Sequence, residues 1–130
     1  MPRYTALVTL AALLLYFWIG FRVGRARAKF RIMPPATTGN PDFERVYRVQ
    51  MNTLEWMPIF LPALWLAALY GNDVWAAVVG LVWIVGRVLY MRGYTAAAEK
   101  REIGFFVQAT ASGVLWVLGL VGVIQSVLHG

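Results

Sequence analysis

Arg45, Arg48, Gln50, Asn52 and Glu55 crowd the entrance to the apolar run Thr53 to Gly71. At the helical advance of about 100° per residue, Arg45, Arg48, Asn52 and Glu55 fall within an arc of about 80°, so a helix there carries one polar face. Guanidinium groups suit carboxylates through paired hydrogen bonds, a glutamate suits an ammonium group, and Asn and Gln suit amides. The ligand these groups imply is small, zwitterionic, amide-containing and net acidic, a description that a short peptide meets. A second stripe lies farther on. Arg87, Tyr90 and Tyr94 share one face, and Arg101 joins them within about 60° if the helix continues past Gly93. An acid inside an apolar span normally faces a bundle interior or a polar cavity, which makes Glu55 a site candidate.

Other chemistry is excluded by what the chain lacks. Without cysteine it has no thiol nucleophile of its own, so any reacting sulfur arrives with a ligand. Its one histidine, His129, stands next to the end with no partners around it in sequence, and no metal site is expected.

The elements that position these residues are membrane spans. A chain that is 60% hydrophobic and 14% charged reads as an integral membrane protein. Its apolar stretches run from Tyr4 to Gly24, Thr53 to Gly71, Val74 to Met91 and Ile103 to Leu128, each near the ~20 residues a spanning helix needs. The expected architecture is all-α, one four-helix membrane domain over residues 1–130. The first stretch exceeds the ~7–15 residues of a signal-peptide core and is followed by Arg22, Arg25, Arg27, Lys29 and Arg31, so a retained anchor is expected. The basic residues flank connections one and three, which the positive-inside rule places in the cytoplasm with both termini opposite. That rule accounts for the charge of +6 without nucleic acid. Lys29, Arg31 and Arg92 read as interfacial cations reaching for lipid headgroups. Asn40 as N-cap and Pro41 at the first position predict a second helix that starts well before its apolar part, with a bend at Pro58 and Pro62. Ala63 with Ala67, and Ala109 with Gly113, permit close helix approach.

The stretch "FRIMPPATTGNPDFERVYRVQMNTLEWMPIFLPALW", followed by "GRVLYMRGY", resembles the MAPEG family of membrane-associated proteins in eicosanoid and glutathione metabolism, nearest its leukotriene-synthase and microsomal glutathione-transferase branch. The similarity covers roughly Arg27 to Arg101. It implies a four-helix bundle assembling as a homotrimer, with glutathione as co-substrate bound between subunits and a hydrophobic electrophile supplied from membrane lipid. Matched by position, the resemblance assigns glutathione contacts to Arg27, Arg48, Gln50, Asn52, Glu55, Trp56, Arg87, Tyr90 and Tyr94, with Gln50 beside the helix-two set. It assigns activation of the thiolate to Arg101. The implied activity is transfer of glutathione to lipophilic electrophiles, with reduction of lipid hydroperoxides as a second activity. A non-catalytic lipid- or glutathione-binding scaffold and a glutathione-dependent prostaglandin E synthase-like isomerase are the alternatives. Ala28 replaces the second of two arginines found in the leukotriene enzymes, and Trp56 replaces a tyrosine.

Overall fold

The computed structural model describes all residues, 1–130, and contains helices α1 (Arg3–Phe30), α2 (Pro41–Tyr70), α3 (Asp73–Ala96) and α4 (Glu102–His129), with a 3-10 turn at Ala98–Arg101 between the last two. All four helices are long and apolar enough to cross a membrane, and their large apolar side chains face outward in number, among them Leu7, Leu14, Phe17, Phe106 and Val127. An apolar exterior of this extent is a lipid-facing surface. The chain is a multi-pass integral membrane protein.

The helices outrun the apolar stretches that mark them, because their ends carry polar turns. Helix α2 begins at Pro41 as its start signals predict: the Asn40 side chain accepts hydrogen bonds from the N–H groups of Asp42 (2.8 Å) and Phe43 (3.1 Å). It runs through Pro58 and Pro62 to Tyr70 without a break in its assignment. Asn72 then caps α3 by accepting from the Trp75 N–H, which makes Gly71–Asp73 a tight reversal. Helix α3 stops at Ala96, where Ala97 turns to extended backbone. The helix passes Gly93 but stops short of Arg101, so the condition that would put Arg101 on the α3 face is not met and Arg101 belongs to the connection.

Helices α2, α3 and α4 pack on one another, and α1 packs on α2 and α3. The centre is a face-to-face stack of Phe60 and Trp83, centroids 3.8 Å apart, surrounded by Leu64, Leu115, Ala67, Ala76, Val8 and Ala12. Close approach of α3 and α4 depends on glycine: a methyl group on Gly104 would lie 2.1 Å from the Tyr90 nitrogen, and one on Gly86 would lie 2.7 Å from the Gln108 nitrogen. Ala63 and Ala67 are buried within the bundle, whereas a methyl group on Gly113 would meet nothing within 4 Å. The N-terminus of α1 is held by a residue far along the chain. The Asp73 carboxylate accepts from the N–H groups of Tyr4 (3.1 Å) and Thr5 (2.8 Å), replacing the local cap that Pro2 does not supply.

Candidate functional site

The polar face of α2 meets the polar face of α3 through one buried cation. Arg87 is 0% exposed and donates from Nη1 to Asn52 Oδ1 (2.8 Å) and from Nη2 to Thr53 Oγ1 (2.6 Å). Its guanidinium also lies over the rings of Tyr90, 4.5 Å from the centroid, and Trp83, 5.9 Å. No carboxylate pairs with it, and its Nε has no partner. A buried charge held only by neutral dipoles and ring faces is costly. Here it fixes Asn52 in one orientation: with the carbonyl committed to Arg87, the amide nitrogen is left as a donor. Arg87 thus stands behind the face that the sequence stripe gave it, holding Asn52 and Thr53 and presenting no fork of its own to the surface.

Tyr90 is buried beside half-buried Tyr94, ring centroids 5.5 Å apart. Arg101 reaches this pair despite leaving the helix, because the 3-10 turn folds back: its guanidinium sits 5.4 Å from the Tyr94 ring centroid while Nη1 donates to the Ala98 carbonyl (3.1 Å). Trp56 is half-buried and meets Phe105 of α4 edge to face, and Phe105 in turn touches Tyr90. So Asn52, Arg87, Tyr90, Tyr94, Arg101 and Trp56 form one connected patch across α2, α3 and the start of α4.

Arg48 and Glu55, on the Asn52 face of α2, are exposed and make no hydrogen bond or ion pair within the chain. An unpaired carboxylate at the edge of a spanning segment calls for a polar partner from outside the chain. Arg45, the fourth member of the sequence stripe, is occupied otherwise, pairing with Asp42 and donating from Nε to the Thr95 carbonyl (3.3 Å).

Gln50 and Arg27 stand apart. Helical spacing puts Gln50 about 160° around α2 from Arg48, and its Nε2 lies 3.2 Å from where a Gly20 methyl would be, against α1. It is not beside the Arg48–Glu55 set. Arg27 donates from Nη1 to the carbonyls of Ile32 (3.3 Å) and Ala36 (2.8 Å) and covers the Phe43 ring. The polar residues singled out in the sequence therefore fall into two separate groups, one centred on Asn52 and one on the α1–α2 seam.

The sequence reading passed over Thr53, Trp83 and Phe105. Thr53 had a signal, since an arginine midway along an apolar helix demands a hydroxyl or amide on a facing helix. Phe105 had none, because an aromatic in an apolar span looks like any other lipid-facing residue.

Comparison with known proteins accords with this geometry. The chain is 52% identical over 125 residues to an uncharacterised protein of Synechocystis, covering 96% of this chain and 88% of that one. It is 46% identical over 111 residues to human microsomal glutathione S-transferase 2 (85% of this chain, 76% of the relative). It is 39% identical over 123 residues to leukotriene C4 synthase of Bos taurus (95% and 82%). Residues 5–121 match the MAPEG family as a whole, and with a polar α2–α3 patch set into a four-helix membrane bundle, the protein belongs to that family.

Proposed function

We propose that the protein is a membrane glutathione transferase that binds glutathione against the Arg48–Asn52–Glu55 face and activates its thiol with Arg101. The observation that carries this reading is the exposed, unpartnered pair Arg48 and Glu55 flanking the Asn52 amide that Arg87 orients. Seven residues of helix separate Arg48 from Glu55, about 10 Å, close to the ~10 Å an extended tripeptide spans. Arg48 then takes a carboxylate, Glu55 the ammonium group and Asn52 a peptide carbonyl. Trp56 and the tyrosines wall the site, and Arg101, which has no acidic partner in the chain, is the cation near Tyr94 for the sulfur. The reaction balances simply. The thiol gives its proton to water, and the thiolate bonds to an electrophilic carbon of a lipophilic substrate. The bonding pair departs with a leaving group, or passes to an epoxide oxygen that takes a proton from water.

The half-site carrying Gln50 and Arg27 fits this reading if it completes the site of an adjacent copy, as in a homotrimer. Native mass spectrometry of the detergent-solubilised protein should then give three subunits with up to three glutathiones, alongside turnover of glutathione with chlorodinitrobenzene. A monomer that binds glutathione and turns over would sink the shared site, and absence of glutathione binding would sink the whole reading. We place connections one and three in the cytoplasm from their basic residues. A reporter fused after His129 should read the opposite compartment, and a cytoplasmic signal would reverse the orientation.

A further inference from the structure

A cavity of about 430 Å³ opens between α1, the start of α2 and the end of α3, lined by Arg22, Arg25 and Lys29 with Asp42, Val46 and Thr95 among its walls. None of the three cations makes a hydrogen bond or ion pair with the rest of the chain, and the one acid in the wall, Asp42, is already paired with Arg45. Beneath the cavity Ile19, Val46, Val49 and Met91 leave no water-sized space, so an occupant enters from the side and does not thread between the helices. The face of α1 that carries Arg22, Arg25 and Lys29 continues towards the membrane centre as Trp18, Leu14 and Ala11, all exposed and within an arc of about 80°. The rise from Ala11 to Arg25 is about 21 Å, somewhat more than half the ~30 Å hydrocarbon core. Arg27 and Gly20, on the seam assigned to glutathione, lie on the opposite face of α1.

We propose that this cleft is a binding site for an anionic phospholipid, its phosphate held by Arg22, Arg25 and Lys29 and its acyl chains laid along Trp18, Leu14 and Ala11. Clustered cations at headgroup depth with a contiguous apolar stripe below match both halves of such a lipid. A cleft that gathers three cations while leaving them unpaired is a stronger feature than single residues snorkelling to the interface. The inference stands apart from the glutathione site and does not require it.

The test uses full-length protein in an uncharged detergent, with phosphatidylglycerol, phosphatidylcholine and inorganic phosphate as probes and bound lipid counted by native mass spectrometry. Phosphatidylglycerol should saturate at one per subunit. An interfacial cation contributes roughly a fivefold factor towards an anionic lipid, so R25Q/K29Q should weaken that binding roughly twenty- to thirtyfold. Both side chains are exposed, so the variant should keep its melting temperature, and R25K/K29R should retain binding. The control R3Q/K100Q removes the same charge from residues outside the cleft lining and should leave binding unchanged. Equal weakening by the control would reduce the effect to general positive charge and overturn the site. Equal retention of phosphatidylcholine would assign binding to the apolar stripe alone, and full competition by millimolar phosphate would assign it to a free anion. Each of those results refutes the lipid headgroup.

Discussion

Arg101→Ala is expected to leave glutathione bound but mostly protonated. A free thiol has a pKa of ~8.5, and lowering it by about two units requires ~2.7 kcal/mol of preferential stabilisation of the thiolate, within reach of one nearby guanidinium. At neutral pH that is the difference between roughly three-quarters thiolate and a few per cent, so the thiolate absorbance of the complex should fall roughly twentyfold. The rate of the chemical step should fall less, by between ~threefold and ~twentyfold, because a more basic thiolate is also the better nucleophile. The sign of the pH effect is distinctive: removing the cation raises the thiol pKa, so the rising limb of the rate profile moves up by about two pH units, and at high pH, where both thiols are ionised, the variant reaches or exceeds the parent rate. Arg48→Ala should instead weaken glutathione binding with little change in the bound thiol's titration, the split expected when one residue holds the ligand and the other acts on its reactive state. An unshifted profile in Arg101→Ala, with chemistry rate-limiting, would assign thiol activation to another cation.

The position of Arg101 supports that assignment independently of the relatives. It stands immediately before α4 as its N-cap residue, where it makes no capping hydrogen bond. A cation at a helix N-terminus opposes the helix dipole and costs roughly 0.3–1 kcal/mol, and a serine or aspartate would serve the fold better.

Gly104→Ala should be the most damaging conservative change in the bundle. The added methyl would sit 2.1 Å from the Tyr90 nitrogen, 2.5 Å from its Cα and 2.7 Å from the Gly86 carbonyl oxygen, all rigid backbone. Rotamer change cannot relieve that overlap, so α4 must move away from α3, opening the contact between Phe105 and Tyr90. Overpacking costs typically ~1–3 kcal/mol, and a clash with backbone falls at or beyond the upper end. The thermal midpoint in detergent should drop sharply and glutathione turnover should fall with it. Gly24→Ala, where a methyl meets nothing within 4 Å, is the comparison and should be neutral or slightly stabilising. Equal melting temperatures for the two variants would show that α3 and α4 are not packed as described.

Much of this architecture is legible in the sequence, and where legibility ends there are specific reasons. The spans are plain because lipid imposes a length and a composition, and the start of α2 is plain because Asn40-Pro41 is a strong local signal. The end of α3 is not. "TAAAEK", Thr95 to Lys100, contains good helix formers and no breaker, so propensity runs the helix straight through. Tertiary packing overrides it: the Lys100 carbonyl folds back so closely on Gly93 that a methyl there would be 2.2 Å away. The Arg48, Asn52 and Glu55 face follows from periodicity alone, and the same periodicity separates Gln50 from it. That Arg87 stands behind Asn52 depends on which helices are neighbours, which no single-helix pattern reveals. The lipid cleft is hidden similarly, since Arg22, Arg25 and Lys29 look like any positive flank until α2 and α3 close around them.

The Asp73 clasp on the first helix has a consequence for how the chain is made. Its two partners, the N–H groups of Tyr4 and Thr5, precede it by 69 and 68 residues. During synthesis the first span must enter the bilayer with that end unsatisfied by protein, and it waits there while the next span and the reversal at Gly71 emerge. Only when α3 begins does the carboxylate arrive. The tie therefore closes no earlier than the start of α3, after α2 and the reversal at Gly71 have been made, and it links the first helix to a part of the chain that follows the whole of the second.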